Sequence, residues 1–156
     1  VIDLIFAGIV ISVLLVLSWI DFRTFLLPDY LTLPLIALGL IANYAGWIQW
    51  TTPSSALIGA AIGWGSIYTL NWVYRKLKGI DGIGMGDAKL LAALGAFLGW
   101  EALPYILIVA SCSGLVGGYI WLKAHHEGYS QAFPFGPFIA FGGIIFLSYR
   151  LFVLNS

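Results

Sequence analysis

Charge is what this sequence has least of: only 9% of its 156 residues are Asp, Glu, Lys or Arg, where about 25% is usual for a soluble domain. Fourteen charged side chains, seven of each sign, cannot cover the surface of a soluble globule of this size. A soluble enzyme and a disordered tail are therefore excluded together. There is no basic excess, since the formal net charge is zero, so no face is available to neutralise the phosphates of a nucleic acid. Cysteine is nearly absent as well. The single Cys112 permits neither an internal disulfide nor a cysteine zinc cluster, and it reads as a small buried packing residue. What fills the space is apolar, 61% of the chain. The expected fold class is all-α, a polytopic helical membrane protein, with residues 1–156 forming one integral-membrane domain.

A crossing of the bilayer's hydrocarbon core takes about 20 apolar residues in a helix. Between polar punctuation the chain offers six segments, at about residues 4–20, 30–47, 56–73, 90–98, 103–122 and 135–149. The first has no basic leader and no A-x-A-like cleavage site, so it reads as a structural helix rather than a signal peptide. The fourth is too short for a straight crossing and is tolerable only if protein buries it. Trp47, Trp50, Trp72, Trp100 and Trp121 fall near segment ends, where indoles anchor in the headgroup region. Gly59, Gly63, Gly65, Gly114, Gly117 and Gly118 are expected to let helices approach closely. Asn43 and Asn71 are expected to make hydrogen bonds between helices.

Lys and Arg accumulate in cytoplasmic loops. With the first helix running inward and the fourth segment counted as a crossing, Arg23, Arg75, Lys76, Lys78, Lys89 and Lys123 share the cytoplasmic side and Arg150 alone lies outside. Asp21, Asp29, Asp81 and Asp87 gather on that same side. Carboxylates in or near a membrane are costly and tend to be paired or functional.

Each aspartate also has a structural explanation. Asp29, after Pro28 and before an apolar run, sits where a helix starts and its carboxylate can receive free amide hydrogens. Asp81 lies in a polar loop. Asp21 closes a 17-residue apolar run, at a helix carboxyl end where negative charge opposes the macrodipole. Function and structural pairing with Arg23 stay equally open there. Asp87, in Gly84-Met85-Gly86-Asp87, could cap a helix, yet the two glycines leave room for another backbone beside the carboxylate. No strand precedes this G-x-G and no Gly-Lys-Ser/Thr follows, which excludes a phosphate loop. His125 and His126 with Glu127 read as a solvated helix end rather than a metal site, because adjacent helical side chains diverge by about 100°.

Three stretches together resemble the type IV prepilin peptidases, intramembrane aspartyl proteases of bacterial pilus and type II secretion systems. Residues 21–34, from Asp21-Phe22-Arg23 to Leu33-Pro34, look like the family's first aspartate segment. Residues 84–100, opening Gly84-Met85-Gly86-Asp87-Ala88-Lys89, are similar to its Gly-x-Gly-Asp segment, and Pro134-Phe135-Gly136-Pro137-Phe138 to a carboxyl-terminal motif. The resemblance implies that Asp21 and Asp87 are the catalytic pair, that Asp29 and Asp81 are secondary, and that no metal or other cofactor is required. Gly84 and Gly86 become the candidates for receiving the substrate backbone. The implied partners are prepilins or pseudopilins and the lipid bilayer, at the bacterial inner membrane with the site facing the cytoplasm. Full-length members typically add an amino-terminal cytoplasmic domain with paired Cys-x-x-Cys motifs and methyltransferase activity. Beginning at Val1 and lacking those motifs, the sequence reads as a peptidase-only member or as part of a longer one. The competing class is a non-enzymatic solute or ion pathway that uses membrane aspartates.

Overall fold

The computed structural model describes residues 1–79, 85–124 and 134–156. All six anticipated segments are helices: α1 (Ile2–Thr24), α2 (Asp29–Tyr44), α3 (Pro53–Lys78), α4 (Met85–Leu98), α5 (Leu103–Ala124) and α6 (Gly136–Asn155), with a 3-10 turn over Trp100–Ala102. Among the described residues there is no strand. Among the described residues three helical stretches, α1, α6 and α5 with its preceding turn, are long and apolar enough to cross a membrane, and α2 is a shorter apolar helix. Large apolar side chains such as Leu4, Leu15, Val16, Leu115 and Phe152 point out of the bundle. In water that surface would aggregate; against acyl chains it is at rest. The chain is a polytopic helical membrane protein.

Local chemistry sets the helix ends. Thr52 caps α3, its Oγ1 accepting the Ser55 N–H at 3.2 Å, and Pro53 supplies a first residue that needs no amide partner. At the other end Gly79 takes the left-handed conformation at φ 74°, and Arg75, Lys76 and Lys78 in the last turn complement the negative end of the dipole. Helix α1 stops differently, at Phe25, a left-handed non-glycine residue with φ 58° whose N–H returns to the Asp21 carbonyl at 2.8 Å. Thr24 steadies this turn by donating to the Ile20 carbonyl at 2.8 Å.

The short fourth segment is the middle of the fold. Leu90, Leu91, Leu94, Phe97 and the alanines between them are buried, and α4 packs against α3, α2 and α6. On the far side α6 packs against α5 and α1, whereas α1 barely touches α2. Helices α3 and α4 run antiparallel with their backbones in near contact. A Cβ on Gly59 would lie 2.5 Å from the Gly95 carbonyl oxygen, one on Gly95 would lie 2.2 Å from that of Gly59, and one on Gly63 would meet the Leu91 carbonyl at 2.8 Å. Gly117 likewise admits Phe138, whose ring would be 2.2 Å from an added Cβ. Asn43 bridges α2 to α4 as anticipated, its Nδ2 donating to the carbonyls of Ala96 at 2.9 Å and Phe97 at 3.2 Å. These pairings alternate the helix directions, so the ends of α1, α3 and α5 and the starts of α2, α4 and α6 share one face.

Three expectations are corrected. Trp50 is 0% exposed, packed on Phe97 with its carbonyl accepting from Arg150 Nε at 2.8 Å, so it is a core residue and not a headgroup anchor. Cys112 is exposed on α5 rather than buried. Gly65 has nothing within 4 Å of an added Cβ and packs no helix. Accordingly Gly95→Val should destabilise the protein by about 1–3 kcal/mol or more through overpacking. Gly65→Ala should be neutral or stabilise by up to about 1 kcal/mol. Unfolding of the two variants in the same detergent checks this contrast.

Candidate active site

Asp21 lies one turn before the end of α1 and is 5% exposed. At the carboxyl end of its own helix the charge is badly placed, but another helix corrects that. Gly136, the first residue of α6, donates its N–H to Asp21 Oδ2 at 3.1 Å. The carboxylate thus sits at the amino end of α6, where free amide hydrogens and the positive dipole end favour an anion. Pro137, within the first turn, preorganises that start without demanding an amide partner. Only glycine fits at 136: an added Cβ would stand 2.6 Å from Asp21 Oδ2 and 3.4 Å from Leu27 Cδ1.

Asp87 occupies the first turn of α4 and is half-buried. Helix α4, which carries it, packs beside α6, so residues 66 positions apart in sequence come to one end of the bundle. Leu27 ties the two halves together. Its side chain is buried, touches the space beside Gly136, and lies 2.8 Å (Cβ) from where a Cβ on Gly86 would stand. The room left by Gly86 is thus occupied by the turn after α1. Gly84, the other candidate for holding substrate backbone, lies outside the described residues, as do Asp81, His125, His126 and Glu127.

Arg23 does not cover Asp21; its guanidinium lies over the Trp19 ring, 4.6 Å from the centroid. Asp29 also departs from expectation. It stands in the first turn of α2, but Pro28 is the cap residue and makes no side-chain bond to the helix. The Asp29 carboxylate pairs instead with Lys89 of α4. That ion pair joins the start of α2 to the start of α4, two residues beyond Asp87. Above the same face Phe22 and Phe25 meet Trp121 of α5 edge to face, with centroids 5.7 and 6.2 Å apart. Sequence reasoning missed Gly136 and Leu27 as parts of the site. The proline just inside a helix start in Phe135-Gly136-Pro137 was the available signal for the former; Leu27 had none.

A buried carboxylate held by the start of α6 and a second carboxylate at the start of α4 thus lie on one face of the bundle. The sequence matches the type IV leader peptidase family over residues 8–119. The chain belongs to that family. It is 45% identical over 138 residues to a prepilin leader peptidase/N-methyltransferase of Pectobacterium carotovorum subsp. carotovorum, an alignment covering 88% of this chain and 49% of the relative. Proteins of the same name from Burkholderia pseudomallei (strain K96243) and Aeromonas salmonicida are 44% and 45% identical, over 85% and 86% of this chain and 42% and 46% of theirs. The chain spans about half the length of the curated relatives it matches. No solved structure matches it.

If Gly136 is glycine because of Asp21, the two positions must be coupled. Gly136→Ala should cost about 1–3 kcal/mol, and the cost should shrink in an Asp21→Ala background, which removes the atoms that the methyl group meets. A double-mutant cycle of unfolding free energies measures it; equal costs in both backgrounds would contradict the coupling.

Proposed function

We propose that residues 1–156 form a membrane-embedded aspartyl endopeptidase unit that removes the basic leader from type IV prepilins or pseudopilins at the cytoplasmic face of the bacterial inner membrane. The observation that carries this reading is the buried Asp21, anchored by Gly136 N–H at the start of α6, with Asp87 in the first turn of α4 on the same face. Family membership and the names of the relatives speak for a peptidase over a solute or ion pathway.

Two carboxyl groups held together do not both ionise easily, so the pair shares a proton. The ionised member takes a proton from water as that water attacks the scissile carbonyl carbon. The neutral member donates its proton to the carbonyl oxygen. On collapse the newly protonated member gives its proton to the leaving amine nitrogen as the C–N bond breaks, and the other carboxylate takes a hydroxyl proton from the gem-diol, so the pair is again singly protonated. Titration belongs to the pair as a unit. Neither a metal nor a covalent intermediate enters these steps.

The substrate's apolar helix stays in lipid while its cleavage junction unwinds at the face where α4 and α6 begin. Gly84 and Gly86 are the positions proposed to receive its backbone, which requires the Leu27 turn beside Gly86 to give way. The cytoplasmic assignment of that face rests on six of the seven basic residues and on α4 acting as one leg of the up-and-down series.

Asp21→Asn and Asp87→Asn, made separately and verified as folded, should each lower cleavage of an intact prepilin by at least about a hundredfold, the scale of acid–base catalysis. Wild-type cleavage by either variant would refute the pair. Orientation is checked separately: in a Cys112→Ala background, single cysteines at 76 and 123 should react with an impermeant thiol reagent only after the cytoplasmic side is opened, and labelling from outside would overturn the topology.

A further inference from the structure

The end of the bundle remote from Asp21 carries a second set of charges that the peptidase reading does not use. Arg150 lies on α6 about four turns beyond Gly136, roughly 21 Å along the helix axis. Between α5 and α6 a cleft of about 510 Å³ is lined by Val109, Ile145 and Phe146, by the phenols of Tyr105 and Tyr149, and by Glu101 and Arg150. Glu101 and Arg150 also line a neighbouring cavity of about 390 Å³ whose other walls include the polar Asn43, Gln49, Thr52 and Ser55. An apolar slot and a polar chamber therefore meet at one carboxylate and one guanidinium.

Among the described residues neither charge forms an ion pair. Arg150 spends Nε on the Trp50 carbonyl at 2.8 Å, which fixes the guanidinium and leaves its terminal nitrogens as donors. Glu101 receives only a long bond from Ser55 Oγ at 3.5 Å. Uncompensated charges near a bilayer are costly, and a guanidinium prefers phosphate oxygens in a forked geometry. A ligand matching the whole feature carries an acyl chain for the slot, a phosphate for Arg150, and a primary ammonium close to that phosphate for Glu101.

We propose that the cleft between α5 and α6 is a selective site for a phospholipid with an ammonium–phosphate head, phosphatidylethanolamine in its simplest form. Phosphatidylglycerol satisfies Arg150 equally well but leaves Glu101 facing a net negative head, so the carboxylate is the discriminating group. The site lies apart from Asp21 and Asp87 and stands whether or not the chain cleaves prepilins.

The full chain, stripped of lipid in mild detergent and exchanged into mixed micelles with equal phosphatidylethanolamine and phosphatidylglycerol of identical acyl chains, is examined for bound lipid by native mass spectrometry. Wild type should hold phosphatidylethanolamine several-fold over phosphatidylglycerol. Glu101→Gln should bring that ratio towards one, and Ile145→Trp, which fills the slot, should lower occupancy by both lipids. Circular dichroism identifies the variants as folded. Equal binding of the two lipids by wild type overturns the proposal, as does an unchanged ratio in Glu101→Gln or unchanged occupancy in Ile145→Trp.

Discussion

The contact on which the site depends is one hydrogen bond, from Gly136 N–H to the Asp21 carboxylate. A charged group at the carboxyl end of a helix, closed off from water by apolar neighbours, has no favourable partner in its own segment. The start of α6 supplies one. That need constrains the surroundings: residue 136 can carry no side chain, the turn after α1 must bring Leu27 alongside, and α1 must pack on α6. The strained left-handed Phe25, a conformation that disfavours side chains, belongs to the same constraint, because it turns the chain immediately after the buried aspartate.

Helix α4 solves a different problem. Fourteen residues are few for a crossing, and a short helix exposed to lipid would leave its ends poorly placed. Enclosure by α2, α3 and α6 removes the exposure, and the glycine contact with α3 allows that enclosure to be tight. Asp87 is then presented from a segment held on several sides, while its neighbour Lys89 reaches out to Asp29 and fixes the register between α2 and α4.

Much of this was readable beforehand, because lipid punishes polarity and so makes each polar residue informative. Apolar run lengths located all six helices, and the shortness of the fourth foretold its burial. The standing of Asp21 as an unfavourable charge was visible from its place at the end of a run. Its remedy was not: Phe135-Gly136-Pro137 could signal a helix start, but nothing in the sequence says that this start meets a carboxylate 115 residues away. The Asp29–Lys89 pair was hidden for a similar reason: both residues had adequate local explanations, and only packing α2 beside α4 brought them together. Trp50 was misread because closeness to a segment end says nothing about which way the ring turns.

The separation in sequence between Asp21 and its partner also has a meaning for biogenesis. While the chain is being made, α1 is synthesised before α6, and its aspartate lacks this partner while α2 to α5 follow. Only when the start of α6 has emerged and docked can the carboxylate be held in place. The anchoring of Asp21 is thus a property of the assembled bundle and not of its own helix.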